Sequence, residues 1–182
     1  MIKKEEGYGL LDFALIFPIF FLMIIFIIEI GWVTYQQTVF DQGYMYSGWT
    51  ITAEDVGDYD LLEETPSQKI YENGTAKDLK EALEREIEAS SLWGMVPGNL
   101  TVADPKAKLY NQEEKFHVPG WTPSDTDSVE AINRTRYMEL EADLTYDIYP
   151  LTYVGQMLFG PKIVAEKRIM LKRVVRSLHR SE

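Results

Sequence analysis

The feature that most constrains this chain is an uninterrupted apolar run close to its start. From Phe13 to Ile28 the sequence reads FALIFPIFFLMIIFII, without a charged or strongly polar side chain, and Asp12 and Glu29 close the run at its two ends. A helix of this length rises about 24 Å, against about 30 Å of hydrocarbon in a bilayer. Because apolar residues also flank the run, the sequence predicts a transmembrane helix over residues 8–35, with the two carboxylates near opposite faces of the membrane.

Two other kinds of segment have similar apolar runs near the start of a chain. A secretory signal peptide has a shorter apolar region, a clearly basic start and small residues at a cleavage site, whereas here the run is followed by EIGWVTYQQ. A buried core helix of a soluble domain is the second alternative, because apolar length alone does not distinguish it. The length and flanks of the run favour a membrane span.

The flanking residues also indicate an orientation. The two lysines of the KKEEG start favour a cytoplasmic N-terminus, since basic residues accumulate on the cytoplasmic side. Trp32 and Tyr35 follow Glu29 and suit the aromatic belt at the outer membrane interface. The sequence therefore predicts a single-pass protein of the cytoplasmic membrane, with residues 36–182 outside it.

The residues before the run form a candidate processing site. In KKEEGYGLLDF, a cut after Gly7 would remove a charged leader over residues 1–7 and leave Tyr8 as the new N-terminus, with Asp12 as the fifth residue. This arrangement resembles type IV prepilins. The longer stretch LLDFALIFPIFFLMIIFIIEIGWVTYQQ resembles the TadE-like pilus-assembly proteins of the tight-adherence system, with aspartate where glutamate is usual. ADLTYDIYPL and IVAEKRIML, near the other end, are similar to the closing strands of that family.

The resemblance implies roles for two residues of the helix. The carboxylate of Asp12 would pair with the N-terminal ammonium of a neighbouring subunit, since an opposite charge offsets the cost of burying either group. The alternative is that Asp12 marks the membrane edge and stays hydrated. Pro18 lacks an N–H group and is expected to kink or loosen the helix.

Taken together, the resemblance implies a minor pilin or pseudopilin of type IV pilus assembly that acts by helix packing and subunit contacts. The implied partners are a prepilin peptidase, major and minor pilins, an inner-membrane assembly platform and the lipid bilayer, and the implied location is the membrane and the pilus. Two alternatives stay open: an uncleaved, signal-anchored surface protein, and a membrane-tethered domain that senses a ligand or hydrolyses a substrate.

Beyond the membrane segment the sequence predicts an exported α+β domain with a small antiparallel sheet and at least one surface helix. The membrane helix is expected to continue to about Thr50. TAKDLKEALEREIEASSLW predicts a second helix, with Leu79, Leu83 and Ile87 on one face.

The strongest strand pattern runs from Met138 to Ile148, where apolar and polar residues alternate as in a half-buried antiparallel strand. Pro150 is expected to end this strand, and an earlier strand, NLTVADPKAKLYN, is expected to be interrupted at Pro105. PLTYVGQMLFGP is interpreted as a hydrophobic loop, and KIVAEKRIMLKRVV as a last strand with a basic tail.

Composition excludes several functions. The net charge of −11 disfavours nucleic-acid binding, and the absence of cysteine excludes disulfides and thiolate metal sites. No motif indicates catalysis, so no enzyme activity, cofactor or metal is predicted, and the acidic stretch DVGDYDLLEETPSQ is interpreted as a solvated loop. The basic tail is expected to contact an acidic surface of its own domain, another subunit or lipid headgroups.

Overall fold

The structure combines one long helix with a four-stranded sheet and two shorter helices. This computed structural model describes residues 4–56, 68–71, 77–91, 93–118 and 129–181. In chain order the elements are α1 (Lys4–Thr50), β1 (Gln68–Tyr71), α2 (Lys77–Ser90), β2 (Leu100–Val118), β3 (Val129–Ile148), α3 (Tyr153–Phe159) and β4 (Ile163–Ser181). The predicted α+β class is confirmed.

Helix α1 has 47 residues and contains Pro18. At 1.5 Å per residue its axis is about 70 Å long. We call residues 13–28 its lower half and residues 29–50 its upper half. The lower half is almost entirely exposed, whereas the upper half contributes Val39 and Phe40 to the core. The predicted continuation of the helix to about Thr50 is confirmed.

The sheet is antiparallel throughout, in the order β1-β2-β3-β4. In the centre Leu140 of β3 pairs with Ala107 of β2 and Leu171 of β4. The register shifts in β2 between Ala103 and Lys106, beside the positive φ of 47° at Asp104. The irregularity expected at Pro105 is therefore a β-bulge, after which the strand continues to Val118.

One face of the sheet forms the core with the helices. The alternating residues of β3 point inward as predicted, because side chains along a strand alternate between its two faces. The fully buried members of this set are Met138, Leu140, Ala142, Leu144, Tyr146 and Ile148. The outer face carries paired charges, so the sheet is half-buried.

Helix α2 packs against β2 of the sheet and against the upper half of α1. Its apolar face is Leu79, Leu83 and Ile87, all fully buried, as the sequence predicts. The close approach to α1 occurs at Gly43, where a Cβ atom would lie 2.6 Å from the carbonyl oxygen of Ile87. A glycine at this position therefore sets the distance between the two helices.

The end of α1 is fixed by a side chain from the last strand. Arg173 of β4 donates to the carbonyl oxygens of Gly48 and Trp49, at 3.4 and 2.9 Å. These carbonyls lie in the last turn, where no intrahelical partner is available. Burial lowers the pKa of the Arg173 guanidinium, which stays cationic and suits the negative end of the helix dipole.

The structure corrects one predicted element. PLTYVGQMLFGP is not a loop, because Tyr153–Phe159 forms helix α3. Thr152 caps its start by accepting from the N–H of Gly155 at 3.1 Å, and Gly160, at a φ of 87°, ends it. Most of the acidic stretch DVGDYDLLEETPSQ lies outside the described residues.

Candidate functional site

The lower half of α1 is an apolar surface that its own domain leaves uncovered. Among the described residues, one helix is long and apolar enough to cross a membrane. Only 6% of an apolar stretch of 18 residues in this helix is buried inside the protein. Phe13, Phe17 and Phe21 form a row along it, with ring centroids 5.5 and 6.3 Å apart. A core helix of a soluble protein would be mostly buried, so this surface needs lipid or other proteins to cover it.

The predicted processing and pairing residues lie at the start of this surface. Gly7 and Tyr8 are in the first turns of α1, and Asp12 is exposed directly before the apolar run. An exposed carboxylate on an apolar helix is accessible to a cation on a neighbouring chain. Asp12 is therefore exposed, and its pairing with a neighbouring subunit stays a prediction.

Glu29, at the other end of the run, is fully buried. Its two carboxylate oxygens accept from the backbone N–H groups of Leu151 and Thr152, at 3.0 and 2.5 Å. A Cβ atom at Gly155 would overlap this carboxylate, so a glycine is needed for α3 to approach it. Glu29 therefore attaches the turn before α3 to α1.

Aromatic residues that follow Glu29 in α1 also contact the rest of the domain. The indole N–H of Trp32 donates to the carbonyl oxygen of Tyr149 at 3.0 Å, and the hydroxyl of Tyr35 donates to the carbonyl oxygen of Trp93. One turn below Glu29, the ring of Phe26 stacks on a ring of α3. The predicted interface residues are thus the residues that connect α1 to its domain, and their depth in a membrane stays a prediction.

Gln36 is a buried polar residue of the upper half that hydrogen-bonds two other parts of the domain. It donates to the carbonyl oxygen of Gly94 at 2.9 Å and accepts from the hydroxyl of Tyr146 at 2.5 Å. The Tyr146 oxygen in turn accepts from the N–H of Val96 at 3.1 Å, and its ring stacks on Phe40 at 5.3 Å. Burial raises the pKa of Tyr146, so the hydroxyl stays protonated and can donate to Gln36.

The basic strand β4 pairs largely with acids of its own domain. Lys162 bonds Asp147 at 2.7 Å and Lys172 bonds Glu139 at 3.1 Å. Arg168 pairs with two further acids of β3, and Lys167 with an acid of α1. Of the alternatives open from sequence, pairing inside the domain is the one seen at these positions, with acids of β3 and α1 as the partners.

The outer face of the sheet carries a groove lined by charged side chains. This groove has a volume of about 520 Å³ and is lined in part by Lys108, Glu139 and Lys172. These groups are engaged with one another and with Tyr110, over which Lys108 and Lys172 lie at 5.0 and 5.4 Å. Among the described residues, no cluster of three or more histidine and carboxylate side chains could hold a metal ion.

Sequence reasoning did not find the contact between Glu29 and α3. Thr152 followed by Gly155, shortly after a proline, fits a helix start and was an available signal for α3. No local signal connects Glu29 with a turn 122 residues further along the chain. Glu29 was interpreted from its neighbours alone, as a group at the membrane surface.

Comparison with known proteins identifies the N-terminal segment. The family model described as TadE-like protein matches residues 7–43. The match runs from Gly7 through the whole lower half of α1 to Gly43, where α1 meets α2. No curated protein and no solved structure matches the chain. The resemblance to TadE-like pilus-assembly proteins is thus confirmed over residues 7–43, and the chain carries a TadE-like N-terminal helix.

Proposed function

We propose that this protein is a minor pilin or pseudopilin of a tight-adherence type IV pilus system. A prepilin peptidase cuts after Gly7, α1 anchors the mature chain from Tyr8 onward in the cytoplasmic membrane, and the α+β domain lies outside the cell. The protein acts by packing its lower half against the helices of other pilins. It performs no catalysis, in keeping with the structural role of TadE-like pilus proteins.

The observation that carries the proposal is that the family match covers both functional parts of α1, the exposed part and the part attached to the domain. The matched segment, residues 7–43, includes the exposed lower half and the part of the upper half that joins the domain. A pilin subunit needs both parts, because its helix must be free for neighbouring helices while its domain must stay attached. An isolated apolar helix would supply an anchor alone.

Asp12 gives the proposed packing its specificity. Cleavage after Gly7 creates an ammonium group at Tyr8, four residues from the exposed carboxylate of Asp12. Within a bundle of apolar helices an unpaired carboxylate is strongly penalised, and a carboxylate beside the ammonium of an adjoining subunit is penalised much less. Correctly staggered neighbours are therefore favoured over misaligned ones. Major and minor pilins and the membrane assembly platform are the partners that this role requires.

The first test concerns processing. Intact-mass measurement on the membrane-extracted protein should give a chain that begins at Tyr8, and Gly7→Lys should retain the leader. Gly9→Ala is the matched control, because a Cβ atom at Gly9 meets nothing within 4 Å and the residue follows the cut. A wild-type mass that includes residues 1–7 would show an uncleaved, signal-anchored protein instead.

The second test concerns the charge pair. Asp12→Asn and Asp12→Ala should leave processing and domain folding intact and strongly reduce the number of surface pili in the native host. Asp12→Glu keeps the charge and should restore assembly. Normal pili in all three variants would contradict the proposed pairing and leave Asp12 as a hydrated residue at the membrane edge.

A further inference from the structure

The segment from Tyr149 to Gly160, which we call the foot, has an unusual surface for an exposed part of a domain. It carries no charged side chain. Five of its apolar and aromatic residues are more than half exposed: Tyr149 at 51%, Leu151 at 53%, Tyr153 at 75%, Met157 at 72% and Leu158 at 54%. Apolar patches of this kind mark surfaces that a membrane or another molecule covers.

The foot lies beside the part of α1 that is apolar on its exposed side. Phe159 stacks on Phe26, with centroids 6.4 Å apart, and Phe26 belongs to the lower half. Three residues further along α1, Glu29 accepts from Leu151 and Thr152 of the foot. The apolar surface of the lower half therefore continues without interruption onto the foot.

The length of the apolar run places this junction at the edge of the hydrocarbon. The run spans about 24 Å of a layer about 30 Å thick, so a centred helix leaves about 3 Å of hydrocarbon beyond Ile28. Glu29 then lies at a depth where an exposed carboxylate would be strongly penalised. The foot offsets part of this penalty, because it supplies two backbone N–H donors to the carboxylate.

From this arrangement we propose that the foot rests in the interface of the lipid bilayer, with Tyr153, Met157 and Leu158 inserted among the headgroups and upper acyl chains. The lipid that surrounds the lower half would also cover the foot, because the two surfaces adjoin. An uncharged patch with tyrosines at its edge suits the boundary between hydrocarbon and headgroups. The inference rests on the proposed anchoring by α1 and adds a second contact between domain and membrane.

This second contact has a consequence for the domain. A single helix leaves its domain free to rotate above the membrane, whereas a helix and a foot on one side define the orientation of the domain. Glu29 holds the two together, which explains why an acid stands at the end of an apolar run.

The absence of cysteine permits a direct measurement of depth. Met157→Cys in the foot and Met170→Cys on the outer sheet face are matched variants, since the two methionines are 72% and 77% exposed. Phe20→Cys marks the lower half. Each full-length variant is labelled with an environment-sensitive nitrobenzoxadiazole dye and reconstituted in phosphatidylcholine–phosphatidylglycerol vesicles. Quenching is then measured with spin-labelled lipid and with aqueous iodide.

The dye at position 157 should be quenched by lipid at least about threefold more than the dye at 170, and iodide should show the reverse order. Iodide quenching at 157 equal to that at 170, with lipid quenching retained at position 20, would overturn the foot and leave the anchor intact. Protection at 157 from both quenchers would show a protein partner on this surface and would also overturn the proposal. Loss of lipid quenching at position 20 would instead refute the membrane anchor and, with it, the proposed function.

Discussion

The two halves of α1 are parts of one continuous helix with opposite environments. In the lower half, residues 13–28 expose almost every side chain, and the rings of Phe13, Phe17 and Phe21 contact one another along the helix. In the upper half, residues 29–50 bury Glu29, Gln36 and Phe40 against the domain. The lower half is more apolar, yet it is the upper half that forms the core.

This difference shows that apolar character alone does not identify a core. The upper half is recognisable by what accompanies its apolar residues: polar groups with specific partners, and glycines where another element approaches. Gln36 has a donor and an acceptor in the domain, and Gly43 admits the backbone of α2. The lower half has neither feature over most of its length, as expected of a surface that packs against lipid or against similar helices.

The largest expected contrast comes from the same substitution in each half. Phe40→Ala removes a fully buried ring stacked on Tyr146 and should reduce the free energy of unfolding of the domain by about 3–5 kcal/mol. Phe17→Ala, in the exposed half, should leave it unchanged. Thermal and denaturant unfolding of the full chain in detergent micelles measures both, and equal effects of the two variants would remove the distinction between the halves.

The buried acid should matter for local structure, and the exposed acid should not. Glu29→Ala leaves the N–H groups of Leu151 and Thr152 without their acceptor, at a cost of about 1–3 kcal/mol for an unsatisfied buried donor. Hydrogen exchange in α3 should accelerate roughly tenfold to hundredfold, since about 1.4 kcal/mol corresponds to a factor of ten. Asp12→Ala is the control. Unchanged exchange in Glu29→Ala would show that other contacts hold α3.

Two glycines of the upper half show where along it another element approaches α1. Gly43→Ala places a Cβ atom 2.6 Å from the Ile87 carbonyl oxygen and should destabilise the domain by about 1–3 kcal/mol as α1 and α2 move apart. At Gly31 a Cβ atom meets nothing within 4 Å, so Gly31→Ala should stabilise the helix by up to about 1 kcal/mol. Opposite shifts in melting temperature are expected, and shifts of the same sign would contradict the helix contact.

The smallest expected effect is the loss of stability when Glu139, on the outer face of the sheet, is protonated at low pH. Hydrogen bonds from Lys172 and Tyr110 lower the pKa of Glu139 from its ordinary value of 4.5. A lowered pKa in the folded state adds stability above about pH 4.5, which is lost as the pH falls through the folded value. Because the group is well exposed, the loss should shift the melting temperature by about 1 °C or less. Glu139→Gln should remove this part of the pH dependence, and an unchanged acid profile would mean that other carboxylates cause it.

The elements that follow a local period were predictable. The alternation from Met138 to Ile148 and the spacing of Leu79, Leu83 and Ile87 each identify a buried face from a few neighbouring residues. Helix α3 was missed because an apolar stretch of this length fits a loop equally well until Thr152 and Gly155 are recognised as its start. These signals act within one or two turns of chain, so sequence reasoning can use them.

The contacts that join α1 to its domain were beyond such reasoning. Glu29 and Leu151 are 122 residues apart, and Gln36 and Tyr146 are 110 residues apart. Either acid at the ends of the apolar run could have been the exposed one. Only the arrangement of β3, α3 and α1 in space shows that Glu29 is enclosed while Asp12 is accessible.

The continuity of α1 also has a mechanical meaning. A rod about 70 Å long acts as a lever, so tilting it by about 10° around its lower end would displace the upper end by about 12 Å. In the proposed assembly, a slight change in how neighbouring subunits pack against the lower half would therefore move the domain by a comparable distance. The length of α1 would thus convert a small rearrangement at one end of the subunit into a large displacement at the other.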